Sequence, residues 1–111
     1  MVKTMKTQPT LYCFKLDPNT GQISRSVIKD YKTIPVSQWV DNGNKYRYKN
    51  NHGTLTDAYE RNLNQMVHNK VYSFNDDIGA AKHIMQETIK NRIQNLFHEL
   101  EKCQTVLERM N

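Results

Sequence analysis

Glycine and proline are scarce in this sequence, with four and three among 111 residues. From Asn75 onward there is no proline, and Gly79, near the start, is the only glycine, so nothing beyond it would break a helix. Cysteine is scarcer still. Cys13 and Cys103 lie far apart, and a pair so placed is expected to stay reduced. No run approaches ~18 consecutive apolar residues, which excludes a membrane-spanning helix. The opening residues, Met1 to Thr7, lack the apolar run of a secretion signal, so a cytoplasmic location is expected.

Chemistry-bearing motifs are missing too. There is no phosphate-cradling glycine loop, no Gly-x-Ser-x-Gly elbow and no His-Glu-x-x-His pair. The carboxylate pairs Asp57/Glu60 and Asp76/Asp77 sit where helix capping accounts for them. His52, His68, His83 and His98 show no ligand spacing, and neither cysteine is placed to help. No enzyme activity, cofactor or metal is expected.

What the chain does have is a small apolar fraction (37%, mean hydropathy −0.83) with ten aromatic residues, a balance that argues for a folded domain with a modest core. One domain spanning 1–111 fits the length. The net charge of +5 is uneven. Residues 1–50 carry nine basic and three acidic side chains, whereas residues 51–111 carry seven and eight. The basic front suits nucleic acid or an acidic protein surface.

Residues 10–74 read mainly as strands. Thr10 to Leu16 alternates, with Tyr12, Phe14 and Leu16 on one face and Leu11, Cys13 and Lys15 on the other. Asp17-Pro18-Asn19-Thr20-Gly21 supplies a turn with a bulge at the glycine, and residues 22–29 return. Residues 30–38 read as a connection, Trp39-Val40 as a second apolar point, and residues 41–44 as a turn. Lys45-Tyr46-Arg47-Tyr48-Lys49 alternates cation against aromatic, a strand pattern. Residues 54–56 suit a short strand. Asp57 and Glu60 have capping-box spacing ahead of Tyr59, Leu63 and Met66, which predicts a short helix at about 58–68. Residues 70–74 are β-rich. Asn75 as cap, with Asp76 and Asp77 in the first turn, then opens a helix running from about 76 to 110. The fold class is α+β: a small antiparallel sheet of three to five strands, a short helix and one long amphipathic helix.

That helix carries the strongest signal. Ile89, Ile93, Leu96, Leu100, Cys103, Leu107 and Met110 recur at alternating steps of four and three, a coiled-coil seam. The helix is ~50 Å long at ~1.5 Å per residue, whereas strands of ordinary length reach ~17–20 Å. A small sheet cannot cover it, so self-association as a homodimer is expected, a foreign helix-binding groove being the alternative. The second candidate site is the cationic strand. Lys45, Arg47 and Lys49, with Lys29 and Lys32 nearby, would track phosphates while Tyr46 or Tyr48 stack on bases. The same alternation also suits core tyrosines beneath a solvated charged face.

Two stretches, Leu11-Tyr12-Cys13-Phe14-Lys15-Leu16-Asp17-Pro18-Asn19-Thr20-Gly21 and Lys70-Val71-Tyr72-Ser73-Phe74-Asn75-Asp76-Asp77, resemble small proteins of prophages and integrative elements in low-GC Gram-positive bacteria. Such accessory proteins include anti-CRISPR inhibitors of Cas nucleases. The resemblance implies a stoichiometric binder acting in a bacterial host's cytoplasm. The basic character of this chain would direct it to a host ribonucleoprotein, through guide RNA or an acidic protein surface.

Overall fold

The computed structural model describes residues 8–36 and 43–111. In chain order the elements are β1 (Leu11–Leu16), β2 (Ile23–Ile28), β3 (Lys32–Pro35), β4 (Asn44–Lys49), β5 (Leu55–Tyr59), a 3-10 turn (Glu60–Asn62), β6 (Met66–Val67), β7 (Lys70–Ser73) and α1 (Ile78–Met110). The strands form two antiparallel sheets, in the orders β2-β1-β7-β6 and β3-β4-β5. With one long helix, the fold is α+β.

The β1 strand is the middle of the molecule because both of its faces are apolar. Leu11 and Cys13 join Ile28, Tyr31, Tyr46, Tyr48 and Ala58 in a core between the two sheets. Phe14 and Leu16 point the other way and join Val71, Ala81 and Met85 beneath α1. The layers therefore run three-stranded sheet, four-stranded sheet, helix, rather than one sheet with helical cover. The first hairpin closes as its sequence predicts. Leu16 pairs with Ile23, the Gly21 N–H donates to the Asp17 carbonyl at 2.8 Å, and Gly21 sits at φ +77°, where a side chain would be strained.

The helix predicted at 58–68 does not form. Leu55–Tyr59 is instead the third strand of the second sheet, with Ala58 only 1% exposed and paired with Tyr46. Asp57 is no helix cap, since its carboxylate turns outward to Arg47. A ladder of paired backbone groups along β4 outweighs local helical spacing, as tertiary context commonly does. Beyond the 3-10 turn, β6 and β7 are joined by His68 and Asn69 at φ 51° and 63°, the left-handed pair that a two-residue type I′ hairpin requires.

Neighbouring segments also depart from expectation. Residues 30–38 are not all connection, because Lys32–Pro35 pairs with β4. Pro35 is tolerated there on an edge strand. The helix begins at Ile78 rather than 76, and its cap is Asp77, whose Oδ1 accepts from the Ala80 N–H at 3.0 Å. Asn75 donates its N–H to Ser73 Oγ, and Asp76 pairs with Arg25. The readings of Trp39, Val40, Asp41 and Asn42 fall outside the described residues.

The helix α1 is unbroken over 33 residues, with no fold at Phe97-His98. Its first third anchors it. Ala81 and Met85 are buried, and Ile84, Thr88 and Ile89 are half-buried. From Lys90 to Asn111 every residue is exposed. The radius of gyration is 19.2 Å and the longest extent 81 Å, whereas a compact chain of ~100 residues has a radius near ~13 Å. No helix among the described residues is long and apolar enough to cross a membrane.

Candidate interaction surfaces

The first surface is the projecting part of α1. Ala81, Met85 and Ile89 step by four along the face that packs on the sheet, and the seam continues from it. Ile89 belongs to the body, since it packs against the core beneath the helix. The remaining seam residues stand in water, from Ile93 at 48% exposed to Met110 at 77%, and Cys103 is exposed as well. Phe97 and Val106, which a strict four-three reading passes over, are also exposed. They flank the seam and widen it to a broad stripe. The signal for them was present in the sequence, because an unsupercoiled helix has 3.6 residues per turn and its apolar face spreads sideways.

This rod is held by little of its own. The Lys90–Glu87 contact is 3.4 Å and exposed, and such pairs contribute only tenths of a kcal/mol. A helix of about twenty residues in water is marginal unless an apolar face packs.

The second surface is the outer face of the β3-β4-β5 sheet. Strand alternation places Lys45, Arg47 and Lys49 outward, and register sets Lys32 opposite Arg47. Asp57, opposite Arg47 on β5, accepts from Arg47 Nε and a terminal guanidinium nitrogen at 2.8 and 3.0 Å and lies 3.4 Å from Lys45 Nζ. The face is thus partly neutralised at its centre. Hydrogen bonding from Arg47, joined by Lys45, holds the Asp57 carboxyl below its ordinary value of 3.8. Arg61 lies over the Tyr59 ring at 5.1 Å along the same edge. Lys29 is not on this face; it lines a cleft between the sheets.

Tyr46 and Tyr48 do not present stacking surfaces. Both are buried. Tyr46 packs edge-on against Tyr31 and Phe74, with centroids 5.4 and 5.3 Å away, and its hydroxyl donates to Glu60 Oε2 at 2.9 Å. Glu60, read as part of a capping box, thereby serves the core. The Tyr48 and Tyr72 hydroxyls bond to one another at 2.6 Å, and the Tyr31 hydroxyl donates to the Pro9 carbonyl at 2.6 Å. A core of tyrosines with each of these hydroxyls partnered explains how a chain of low hydropathy folds.

Burial raises the phenols of Tyr31, Tyr48 and Tyr72, and burial followed by Glu60 pushes Tyr46 up to about 12. Because the folded state favours the neutral phenol, this contribution to stability is whole below pH 10 and is lost as pH rises toward about 12. Asp57 has the opposite sign: its contribution is whole above 3.8 and is lost as pH falls further. Phenolate absorbance is expected to show these four tyrosines titrating late, together with loss of near-ultraviolet circular dichroism.

Among the described residues, no group of three or more His, Cys, Asp or Glu could hold a metal ion. Burial also raises the Cys13 thiol, leaving Cys103 as the accessible one. No family model, curated protein or solved structure matches the chain.

Proposed function

We propose that this chain is a self-associating, non-enzymatic binding protein of a phage or mobile element, which inhibits a host nucleic-acid-targeting defence machine by stoichiometric binding. The observation that carries the reading is the apolar stripe on residues 91–110, exposed along its whole length. The two sequence stretches that resemble prophage proteins, with the anti-CRISPR inhibitors among them, supply the class of partner.

A second copy of the chain is the occupant that fits the stripe. In an antiparallel pair Ile93 meets Met110, Leu96 meets Leu107, and Leu100 meets Cys103, each residue set against its counterpart in the other copy. This register uses the whole exposed segment and stops where the body begins at Ile89. It also keeps the basic bodies at opposite ends, whereas a parallel pair would crowd like charges together. Seven large side chains per copy, about half exposed, give on the order of 10–20 kcal/mol of gross burial for the pair. Lost freedom on association costs ~4–15 kcal/mol. The balance favours a dimer in the micromolar range.

Co-expression with candidate host nucleases, scored by plasmid interference, tests the inhibitory role. Protection is expected against at least one of them. Failure against every nuclease tried would remove the reading.

The outer sheet face favours a second reading, a basic nucleic-acid-binding protein, because among the described residues Asp57 is the one acid paired with Lys45 and Arg47 and no acid is paired with Lys32 or Lys49. Under it, Asp57→Asn tightens oligonucleotide binding at low salt. Joint replacement of Lys45, Arg47 and Lys49 by Gln flattens the salt dependence by ~0.7–0.9 log units for each phosphate no longer neutralised. Titration at two salt concentrations reads both effects, and salt-insensitive binding in the parent protein would discard this reading.

A further inference from the structure

A solvent-open cleft of about 650 Å³ lies between the two sheets, with Cys13 and Tyr48 among its lining residues. Four lysines line it: Lys15 and Lys70 from the four-stranded sheet, Lys29 just beyond β2, and Lys49 at the end of β4. Asp30 is the single acidic residue among the lining. Lys15 and Lys70 are direct cross-strand partners. Like charges placed opposite one another, with Cβ atoms ~4.5–5.5 Å apart, destabilise a sheet. Some cations elsewhere are answered by acids: Arg25 has Asp76, and Lys45 and Arg47 share Asp57. Among the described residues none of these four lysines is in an ion pair.

We infer that this cleft is a binding site for a ligand carrying two or more adjacent phosphates, whether a free nucleoside polyphosphate or the backbone of a nucleic-acid strand. A single carboxylate would leave most of the lysine charge unbalanced, whereas a diphosphate brings enough charge in a compact group and is a good match for ammonium point charges. The volume lies within the ~300–1,000 Å³ usual for small-ligand sites. Tyr48 is buried and its hydroxyl is taken by Tyr72, so the lysines hold the phosphates and no aromatic face reads a base. The site shares Lys49, at its rim, with the outer sheet face, but Lys15, Lys29 and Lys70 belong to the cleft and not to that face.

The test is thermal unfolding and calorimetry of the full chain with inorganic pyrophosphate at low salt. Wild type gains stability saturably. Lys15→Gln/Lys70→Gln binds on the order of tenfold more weakly and, without anion, is at least as stable as wild type because the facing charges are gone. Lys29→Gln/Lys49→Gln gives the same loss of binding from the other side of the cleft, which guards against a misfolded first variant. Lys32→Gln/Lys45→Gln, on the outer face, keeps the response. A short single-stranded oligonucleotide separates the sources. If pyrophosphate displaces it and the Lys15/Lys70 variant loses both, the ligand is a strand; if only pyrophosphate binding is lost, it is a free polyphosphate. No stabilisation of wild type, or equal stabilisation of wild type and both cleft variants, overturns the assignment.

Discussion

Leu100→Glu combined with Leu107→Glu is expected to leave a folded monomer where the parent chain is a dimer. Both side chains are more than half exposed in the single chain, at 53% and 62%, and neither belongs to a core cluster, so the body loses nothing. In the paired rods both would lie in the seam, Leu100 at its centre and Leu107 against Leu96 of the other copy, and each dimer would carry four carboxylates across an apolar contact. Burying an unpaired carboxylate costs several kcal/mol, so four together exceed the ~8 kcal/mol of a micromolar dimer. Light scattering at tens of micromolar is expected to report twice the chain mass for wild type and the chain mass for the variant. A fall in helical circular dichroism should accompany it, because a lone rod of about twenty residues frays. Monomeric wild type at these concentrations would sink the proposal. Cys103 reports orientation. In the antiparallel register it lies level with Leu100 of the other copy, so the two thiols are offset by ~4.5 Å along the axis at ~1.5 Å per residue and across helices ~8–10 Å apart. That exceeds disulfide reach. Mild oxidation should leave no cross-linked dimer, and a disulfide through Cys103 would mean a parallel pair.

Phe14→Ala is expected to cost ~3–5 kcal/mol, a large part of the ~5–15 kcal/mol that holds a typical domain together. Phe14 is fully buried on the central strand and joins Val71, Ala81 and Met85 in the core that fastens α1 to the sheet. Truncation leaves a cavity where two strands and the helix meet. Urea unfolding should show the midpoint falling sharply. The rod should melt with the body in one transition, since its first turns are held by the same core. Phe97→Ala is the control. Phe97 is 63% exposed, so this substitution should leave monomer stability near wild type and weaken only association. Equal destabilisation by the two substitutions would contradict the layer arrangement.

Local chemistry made some elements legible without a fold. The first hairpin was readable because Pro18 and Gly21 set the turn and the flanking residues alternate. The long helix was readable because the stretch from Asn75 has no proline and only Gly79 near its start, which leaves the 3.6-residue period unopposed. The strand at 70–73 was readable from its β-rich composition. The segment 57–68 was not legible. Asp57-Ala58-Tyr59-Glu60 has the spacing of a capped helix, and only pairing with β4 makes it a strand. The tyrosines of β4 were ambiguous for a related reason. Alternation says which residues share a face, but not whether that face meets water or a second sheet.

The sequence alone determined that the C-terminal helix is long and striped and that the front of the chain is basic, since these are properties of covalent order and local period. Tertiary structure decided the rest: that β1 is buried on both faces, that Asp57 neutralises the outer sheet instead of capping a helix, that Ile89 is core while Ile93 onward stands in water, and that Lys15 and Lys70 face each other in a cleft with Lys29 and Lys49. Those outcomes depend on contacts between residues distant in the chain, and such contacts are settled by burial and backbone pairing over the whole molecule, which no local pattern encodes.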